Sequence, residues 1–353
     1  MDFMWASVKV VKQIISVAIL GMLAFAVDTM PASAKKDELG NFIQQNVLPR
    51  KKPLRTKAKP SQGNIAARAK RIPTKVPAKN LFGAKKDAAN LKPRAIGYYT
   101  RGCLAGAEEV PVTGSAWQAM RLSRNRNWGH PKLVALVKRL AVEARKYDGY
   151  PGLLVGDLSQ PRGGPMTSGH RSHQMGLDAD IWLTPMPKHV MSRKEREKKK
   201  PILMTVNRKK LNRKNWTEAH ARLLKRVVSY SEVARIFVHP PIKREMCNWA
   251  TRKGFKDRRW LGKIRAYYGH NYHFHIRIKC PKGSVGCKDQ KAAPNRDDCK
   301  ENLAYWMSNK PWGGPVKKKK TTKKKKAKKK ARKPRHMTIK GLPNACRTVL
   351  VAN

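Results

Sequence analysis

The chain has 353 residues, with 79 Lys and Arg against 22 Asp and Glu and a formal net charge of +57. That length suits one substantial domain or two small ones. The charge gathers before about Tyr98 and in the run Lys317–Lys330, while the middle has the aromatic and aliphatic content of a packed domain; this excludes a wholly solvated polycation and points to one globular core with two basic, poorly ordered arms that suit a polyanion, whether nucleic acid or an acidic cell-envelope polymer.

At the N-terminus, Lys9 and Lys12 precede the apolar run Ile14–Val27, followed by Ala32-Ser33-Ala34. A basic region, a short apolar region and an A-x-A site make residues 1–34 a secretory signal peptide. The apolar run is shorter than the ~20 residues of a spanning helix, and no later segment could span a membrane once the signal is cleaved. All six cysteines follow the signal, and none forms a CxxC pair. An even set in an exported chain reads as three disulfides, with about 15 possible connectivities. A structural zinc site of Cys and His would need the close pairing these cysteines lack. Cys280 and Cys287 bracket a glycine-containing loop and could pair locally. Export and the cysteine set together oppose a nucleic-acid partner and favour anionic envelope polymers for the basic flanks.

Residues 35–95 are rich in Lys, Arg, Pro and Ala without sustained periodicity. They read as a disordered linker, either a polymer-binding arm or a plain spacer. The folded domain is expected over residues 96–312. Order begins near Ile96–Cys103. Pro131 opens a helix, with Leu133, Val134, Leu136, Val137, Leu140 and Ala141 as an apolar stripe that runs to about Gly149. Leu153–Leu158 reads as a buried strand and Ser159–Thr167 as a loop, whose Gly163-Gly164 lacks the strand–helix context of a phosphate-binding loop. Pro185–Arg213 reads as an exposed excursion, Thr217–Ser229 as a helix and Arg235–Val238 as a strand. Asp257–Tyr268 places Trp260, Leu261 and Ile264 at helical spacing. Residues 313–353 form a Lys-rich tail, which becomes a tethered loop if Cys346 is bonded to the core.

Two stretches carry chemistry. In Ser168–Leu183, strand alternation turns Asp178, Asp180 and Trp182 to an exposed or cleft-lining face and Ala179, Ile181 and Leu183 to the core. His170 and His173 lie in the loop just before. In His270–Lys279, the alternation sets His273, His275 and Arg277 on one face and Phe274, Ile276 and Ile278 on the other, with His270 at the strand's mouth. Catalytic zinc takes three protein ligands of imidazole and carboxylate type and keeps one position open for the water it activates. His173, Asp180 and His275 can supply those ligands. His170 could be a further ligand or an outer partner. His273 could take a proton or stabilise an oxyanion, and His270 could share that task. Taken singly, each feature has a bland reading, as a solvated aspartate or a surface histidine. Five of the ten histidines in two short, glycine-flanked segments, one with paired aspartates, make the metal reading the stronger one. His130, His189, His220, His239 and His336 have no comparable setting and are assigned no role.

The segments SGHRSHQMGLDADI and HNYHFHIRIKC resemble the penicillin-insensitive murein endopeptidases, members of a wider group of zinc peptidases that includes lysostaphin-type enzymes and D-Ala-D-Ala dipeptidases. That group shares an H-x6-D motif, matched here by His173 and Asp180, and a later H-x-H, matched by His273 and His275. RGC at Cys103, NWGHP, LLVGDL, RIFVHPPIK and the six cysteines extend the likeness over about Ile96–Trp312 plus Cys346. The resemblance implies zinc ligation by His173, Asp180 and His275, with His170 as an extra ligand or close neighbour, and catalysis by His273 and His270. It also implies the pairings Cys103–Cys346, Cys247–Cys299 and Cys280–Cys287. The implied reaction is hydrolysis of the D-alanyl–meso-diaminopimelyl cross-link of peptidoglycan in the periplasm, by a chemistry that needs no serine for β-lactams to acylate. Family members can carry a second metal pair where this chain has Asn207 and Lys210, which puts a second metal in doubt. The expectation is thus an α+β fold whose small, mainly antiparallel sheet carries a zinc site, flanked by helices and disordered basic arms. Its rivals are a D-Ala-D-Ala carboxypeptidase or dipeptidase with the same ligands, and a non-catalytic wall-binding protein.

Overall fold

The computed structural model describes residues 62–312 and 336–353. The expected signal peptide (residues 1–34), residues 35–61 and the run Lys317–Lys330 lie outside the described residues. In chain order the elements are α1 (Gln62–Lys70), α2 (Ala78–Gly83), β1 (Arg94–Tyr98), β2 (Arg101–Ala105), β3 (Glu108–Glu109), β4 (Trp117–Ala119), β5 (Trp128–Gly129), α3 (Pro131–Tyr147), β6 (Leu153–Val155), β7 (Asp178–Trp182), α4 (Arg193–Lys198), α5 (Glu218–Ser229), β8 (Val233–Val238), α6 (Pro240–Arg252), β9 (Ile264–Ala266), β10 (His273–Ile278), α7 (Glu301–Met307) and α8 (Ala345–Val351).

The fold is α+β, built on a six-stranded sheet in the order β4-β6-β7-β10-β8-β9. The sheet is mixed, which corrects the mainly antiparallel expectation. Its centre is antiparallel across β6–β7, β7–β10 and β10–β8, but β4–β6 and β8–β9 are parallel. Each parallel pair is joined through a helix, α3 in the first and α6 in the second, the crossover that parallel strands require. Helix α6 follows directly from RIFV and is absent from the sequence reading, so the second crossover and its parallel edge were not foreseen. The helical spacing read in Asp257–Tyr268 is a 3-10 turn, Arg259–Lys263, leading straight into β9.

Helix α3 forms where its stripe predicts. Leu133, Val134, Leu136, Val137, Leu140, Ala141 and Ala144 are buried in one core with Ala179, Ile181, Phe274 and Ile276 from β7 and β10. His130 precedes it as N-cap, its Nδ1 accepting from the Lys132 N–H at 3.2 Å, and Pro131 fits the first helical position. The same His-Pro junction starts α6 at His239-Pro240. In the first turn of α5, the His220 Nδ1 accepts from the Thr217 N–H at 3.0 Å, and its Nε2 donates to the Leu183 carbonyl at 2.9 Å. His130 and His220 thus serve the architecture, whereas the His239 side chain makes no capping bond.

The disordered linker expected through residue 95 is corrected from residue 62 onward. Phe82 and Ala78 are fully buried, in a second core with Ile96, Cys103, Cys346, Val349 and Leu350. Phe82 lies on Gly164, whose φ is +74° and where a Cβ would come within 2.3 Å of the ring. The N- and C-terminal segments also bond directly, Ala78 N–H to the Met337 carbonyl (2.8 Å) and Asn90 N–H to the Asn353 carbonyl (3.0 Å). Arg162 donates to the carbonyls of Val349 and Leu350 at the end of α8. The three disulfides are Cys103–Cys346, Cys247–Cys299 and Cys280–Cys287, as the resemblance implied. No helix among the described residues is long and apolar enough to cross a membrane.

Candidate metal centre

The site is written in the register of β7 against β10. His275 faces Asp180 across the pair, Arg277 faces Asp178, and His273 faces Trp182. The alternation read from the sequence holds, but the polar face is not an exposed one. Asp178 is 1% exposed, and Asp180, His273 and His275 are 4–5% exposed. Charges buried to this degree need partners, and the two aspartates obtain them differently.

Asp178 is saturated. Its Oδ1 accepts from Arg277 Nε at 2.7 Å and from His275 Nε2 at 2.9 Å, and its Oδ2 accepts from the His173 backbone N–H at 2.9 Å. Arg277 is itself fixed, with its guanidinium 4.1 Å from the Tyr99 ring centroid and Nη1 donating to Gln290 Oε1. Burial raises the pKa of Asp178, but Arg277 and His275 outweigh it and hold the carboxyl far below the usual range.

Asp180 is surrounded by imidazoles. Its Oδ1 lies 3.4 Å from His173 Nε2 and 3.2 Å from His275 Nδ1. Its Oδ2 lies 3.4 Å from His170 Nδ1 and 3.6 Å from His273 Nε2. Burial opposes the charge here too, yet His273, His173 and His275 together keep the carboxyl well below its ordinary value.

The tautomers follow from what each ring does with its other nitrogen. His173 donates Nδ1–H to the Leu158 carbonyl at 2.5 Å, His275 donates Nε2–H to Asp178, and His170 Nε2 meets Asp157 Oδ2 at 3.1 Å. In all three the remaining nitrogen, a lone-pair carrier, points at Asp180. His173 adopts φ +67°, the left-handed region that costs a β-carbon-bearing residue energy; its two hydrogen bonds hold it there. His173 Nε2 and Asp180 Oδ1 are buried without a hydrogen-bond donor. Acceptor atoms converging in a buried site repel unless a cation lies among them. His170, His173 and Asp180 can offer ligand atoms all within 4.8 Å of one another, and His275 adjoins them through Asp180. The donor set therefore fits a cation of zinc type.

His273 sits beside this cluster with its Nδ1 buried and unbonded. His270 stands at the rim, donating Nδ1–H to the Tyr268 carbonyl at 2.8 Å. Burial pushes His270 down to about 3 and His273 down to about 4, so both rings are neutral at ordinary pH. For His275 burial acts the same way, but the Asp178 charge and hydrogen bond overcome it and raise the ring. These residues open on a cavity of about 610 Å³ that Tyr267, Tyr268 and Phe237 also line. Asn207 and Lys210 lie apart on an exposed turn, where Asn207 Oδ1 accepts from the N–H groups of Lys209 and Lys210.

Asp157 is a site residue that sequence reasoning missed. Its carboxylate takes Arg126 Nη1 at 2.9 Å, Arg124 Nη1 at 3.0 Å and His170 Nε2, and the last fixes the ring that faces Asp180. These partners outweigh burial and lower the carboxyl to about 2. The one local signal was a lone aspartate ending the apolar segment LLVGD.

A family model described as penicillin-insensitive murein endopeptidase matches residues 95–351. The chain is 39% identical over 227 residues to the penicillin-insensitive murein endopeptidase of Haemophilus influenzae, covering 64% of this chain and 78% of that protein. It is 37% identical over 219 residues to that of Pectobacterium atrosepticum (62% and 76% covered) and 39% over 216 residues to that of Yersinia enterocolitica (61% and 76%). The matched span begins after α1 and α2.

Proposed function

The chain belongs to the family of penicillin-insensitive murein endopeptidases, and on that premise we propose that it is a zinc-dependent endopeptidase that hydrolyses D-alanyl–meso-diaminopimelyl cross-links of peptidoglycan. The observation that carries the zinc reading is the pair of buried acceptor atoms without a donor, His173 Nε2 and Asp180 Oδ1, with His275 Nδ1 beside them. In this reading His173, Asp180 and His275 hold the ion, with His170 as a further ligand. Bound zinc supplies a Lewis acid that activates water and polarises the scissile carbonyl.

The chain's own residues do the rest. Asp178 and the Leu158 carbonyl fix the tautomers of His275 and His173, as outer partners do in metal sites. His273, neutral and next to Asp180, accepts a proton at the cluster and later returns it to the leaving amine. His270, tied at Nδ1 to Tyr268, presents Nε2 for the same traffic or for a developing oxyanion. The buried walls around Asp180 keep bulk water from competing. Export to the periplasm agrees with three disulfides and no free cysteine among the described residues. The basic flanks, by composition, would hold the enzyme on anionic envelope polymers.

The test is digestion of cross-linked muropeptide dimers by zinc-loaded protein, beside a chelated sample and His275→Ala. Conversion of dimer to monomer, lost in both controls, is the expected result. Trimming of terminal D-alanine without loss of dimers would instead identify a carboxypeptidase, and intact substrate despite bound zinc a wall-binding protein.

A further inference from the structure

A second cavity, of about 640 Å³, adjoins the metal centre, and the two share Thr100, His170 and Arg171. Among the described residues its wall holds no Asp or Glu, but it does hold two arginines, Arg101 and Arg171. Both are exposed. They come from separate parts of the chain: Arg101 opens the second strand of the β1–β2 hairpin, and Arg171 follows His170 in the loop ahead of β7.

Buried Gln174, 4% exposed, locks the two backbones together. Its Nε2 donates to the Thr100 carbonyl at 2.9 Å and to the Arg171 carbonyl at 3.0 Å, while its Oε1 accepts from the Gly102 N–H at 3.2 Å. One side chain thus binds the residues on both sides of Arg101 and the main chain of Arg171. Gly102 permits the close approach, since a Cβ there would fall 2.3 Å from the Ile96 carbonyl and 2.6 Å from Met175. The main chains of the two segments are therefore ordered before any ligand arrives, which lowers the cost of binding.

We propose that Arg101 and Arg171 form a carboxylate-binding subsite beside the metal centre, which takes a free carboxylate on the peptide stem of the substrate. Guanidinium is the side chain suited to two-pronged recognition of a carboxylate. Murein stems carry such carboxylates close to the cross-linked amide, and Arg171 lies next in sequence to a residue of the metal cluster. The assignment of the ligand rests on the endopeptidase reading, whereas the fixed main chains that carry the two arginines do not.

The experiment uses the full zinc-loaded chain, Arg101→Ala, Arg171→Ala and the double variant. Each is given cross-linked muropeptide dimer and the same dimer with its carboxylates converted to amides. Loss of one charge-assisted hydrogen bond corresponds to about a tenfold effect, so each single variant should raise KM for native dimer about tenfold, with the effect in KM rather than kcat. Amidation should raise the wild-type KM similarly and add nothing in the double variant. A wild-type KM indifferent to amidation, or a double variant as sensitive to it as the wild type, overturns the subsite. Calorimetric titration of uncross-linked stem peptide reads the same contact without turnover. Arginine-dependent stem binding by a protein that leaves dimers intact would sink the endopeptidase reading and keep the subsite. Efficient dimer cleavage with no arginine dependence in either assay would do the opposite.

Discussion

Asp178→Asn separates the stability of the site from its ligand chemistry. The substitution preserves shape but removes one negative charge from a residue 1% exposed. Arg277, 6% exposed, then keeps Gln290 and the Tyr99 ring but loses its ion pair. Removing one partner of a buried pair typically costs about 3–5 kcal/mol. The amide also places an N–H group where His275 Nε2–H or the His173 backbone N–H now donates. If His275 responds by moving its proton to Nδ1, the atom facing Asp180 is no longer a lone pair. Loss of an outer partner of this kind lowers metal affinity about 10–100-fold. Denaturant unfolding of metal-free protein should show a lower midpoint, and competition with a chromophoric chelator should show the weaker zinc affinity. Asp257→Asn, which breaks an exposed pair with Arg259, should leave both readings where they are. Wild-type zinc affinity in Asp178→Asn would refute the tautomer argument. A wild-type unfolding midpoint would refute the buried-pair argument.

Replacing Cys103 and Cys346 by Ser opens a loop with a sequence separation of 243, which chain-entropy arithmetic values at about 5 kcal/mol; the denaturant midpoint should fall, and proteolysis should begin in the second core around Phe82. Acid should destabilise the protein through His130, whose buried ring is pushed down to about 4, first by burial and then by nearby Lys132. Between about pH 6.5 and 4 the unfolded chain binds a proton that the folded one refuses, so stability is full above that window and is lost as pH falls through it, by about 3 kcal/mol in total. His130→Asn keeps an N-cap acceptor without the titration, and its stability–pH curve should be flatter by that amount over this window; an unchanged slope would mean that His130 is not the group responsible.

Legibility in the sequence followed burial. Strand β10 could be read because apolar and polar residues alternate strictly, β7 because Asp178 and Asp180 alternate with Ala179 and Ile181, and α3 because seven buried positions recur at helical spacing. Helix α6 could not. Its apolar positions Ile242, Met246, Trp249 and Ala250 recur correctly, but Lys243 and Glu245 interrupt them, and both are buried. Lys243 Nζ donates to the carbonyls of Leu261 and Asp297, and Glu245 is paired with Arg252. Buried charges satisfied by distant partners erase the amphipathic signal on which such a reading depends. The N-terminal arm failed for a related reason. A composition rich in Lys and Pro concealed Phe82, one large side chain that anchors the segment on Gly164.

The site shows the same division more sharply. Asp178 and Asp180 are chemically identical, two residues apart on one face, and nothing local tells them apart. What separates them is the strand opposite. Register sets Arg277 across from Asp178 and His275 across from Asp180, so one carboxylate is neutralised by a guanidinium and the other is left to imidazoles. A slip of two residues would keep every side chain on its face and still change these partners, moving His275 opposite Asp178 and His273 opposite Asp180 while Arg277 leaves both carboxylates. The H-x6-D and H-x-H spacings name residues that the structure brings together, but their convergence depends on a pairing that the rest of the sheet enforces. Asp157 extends the point: its partners Arg124, Arg126 and His170 lie on either side of it in the chain, and only the folded structure shows that an aspartate two residues past β6 aims a histidine at the centre.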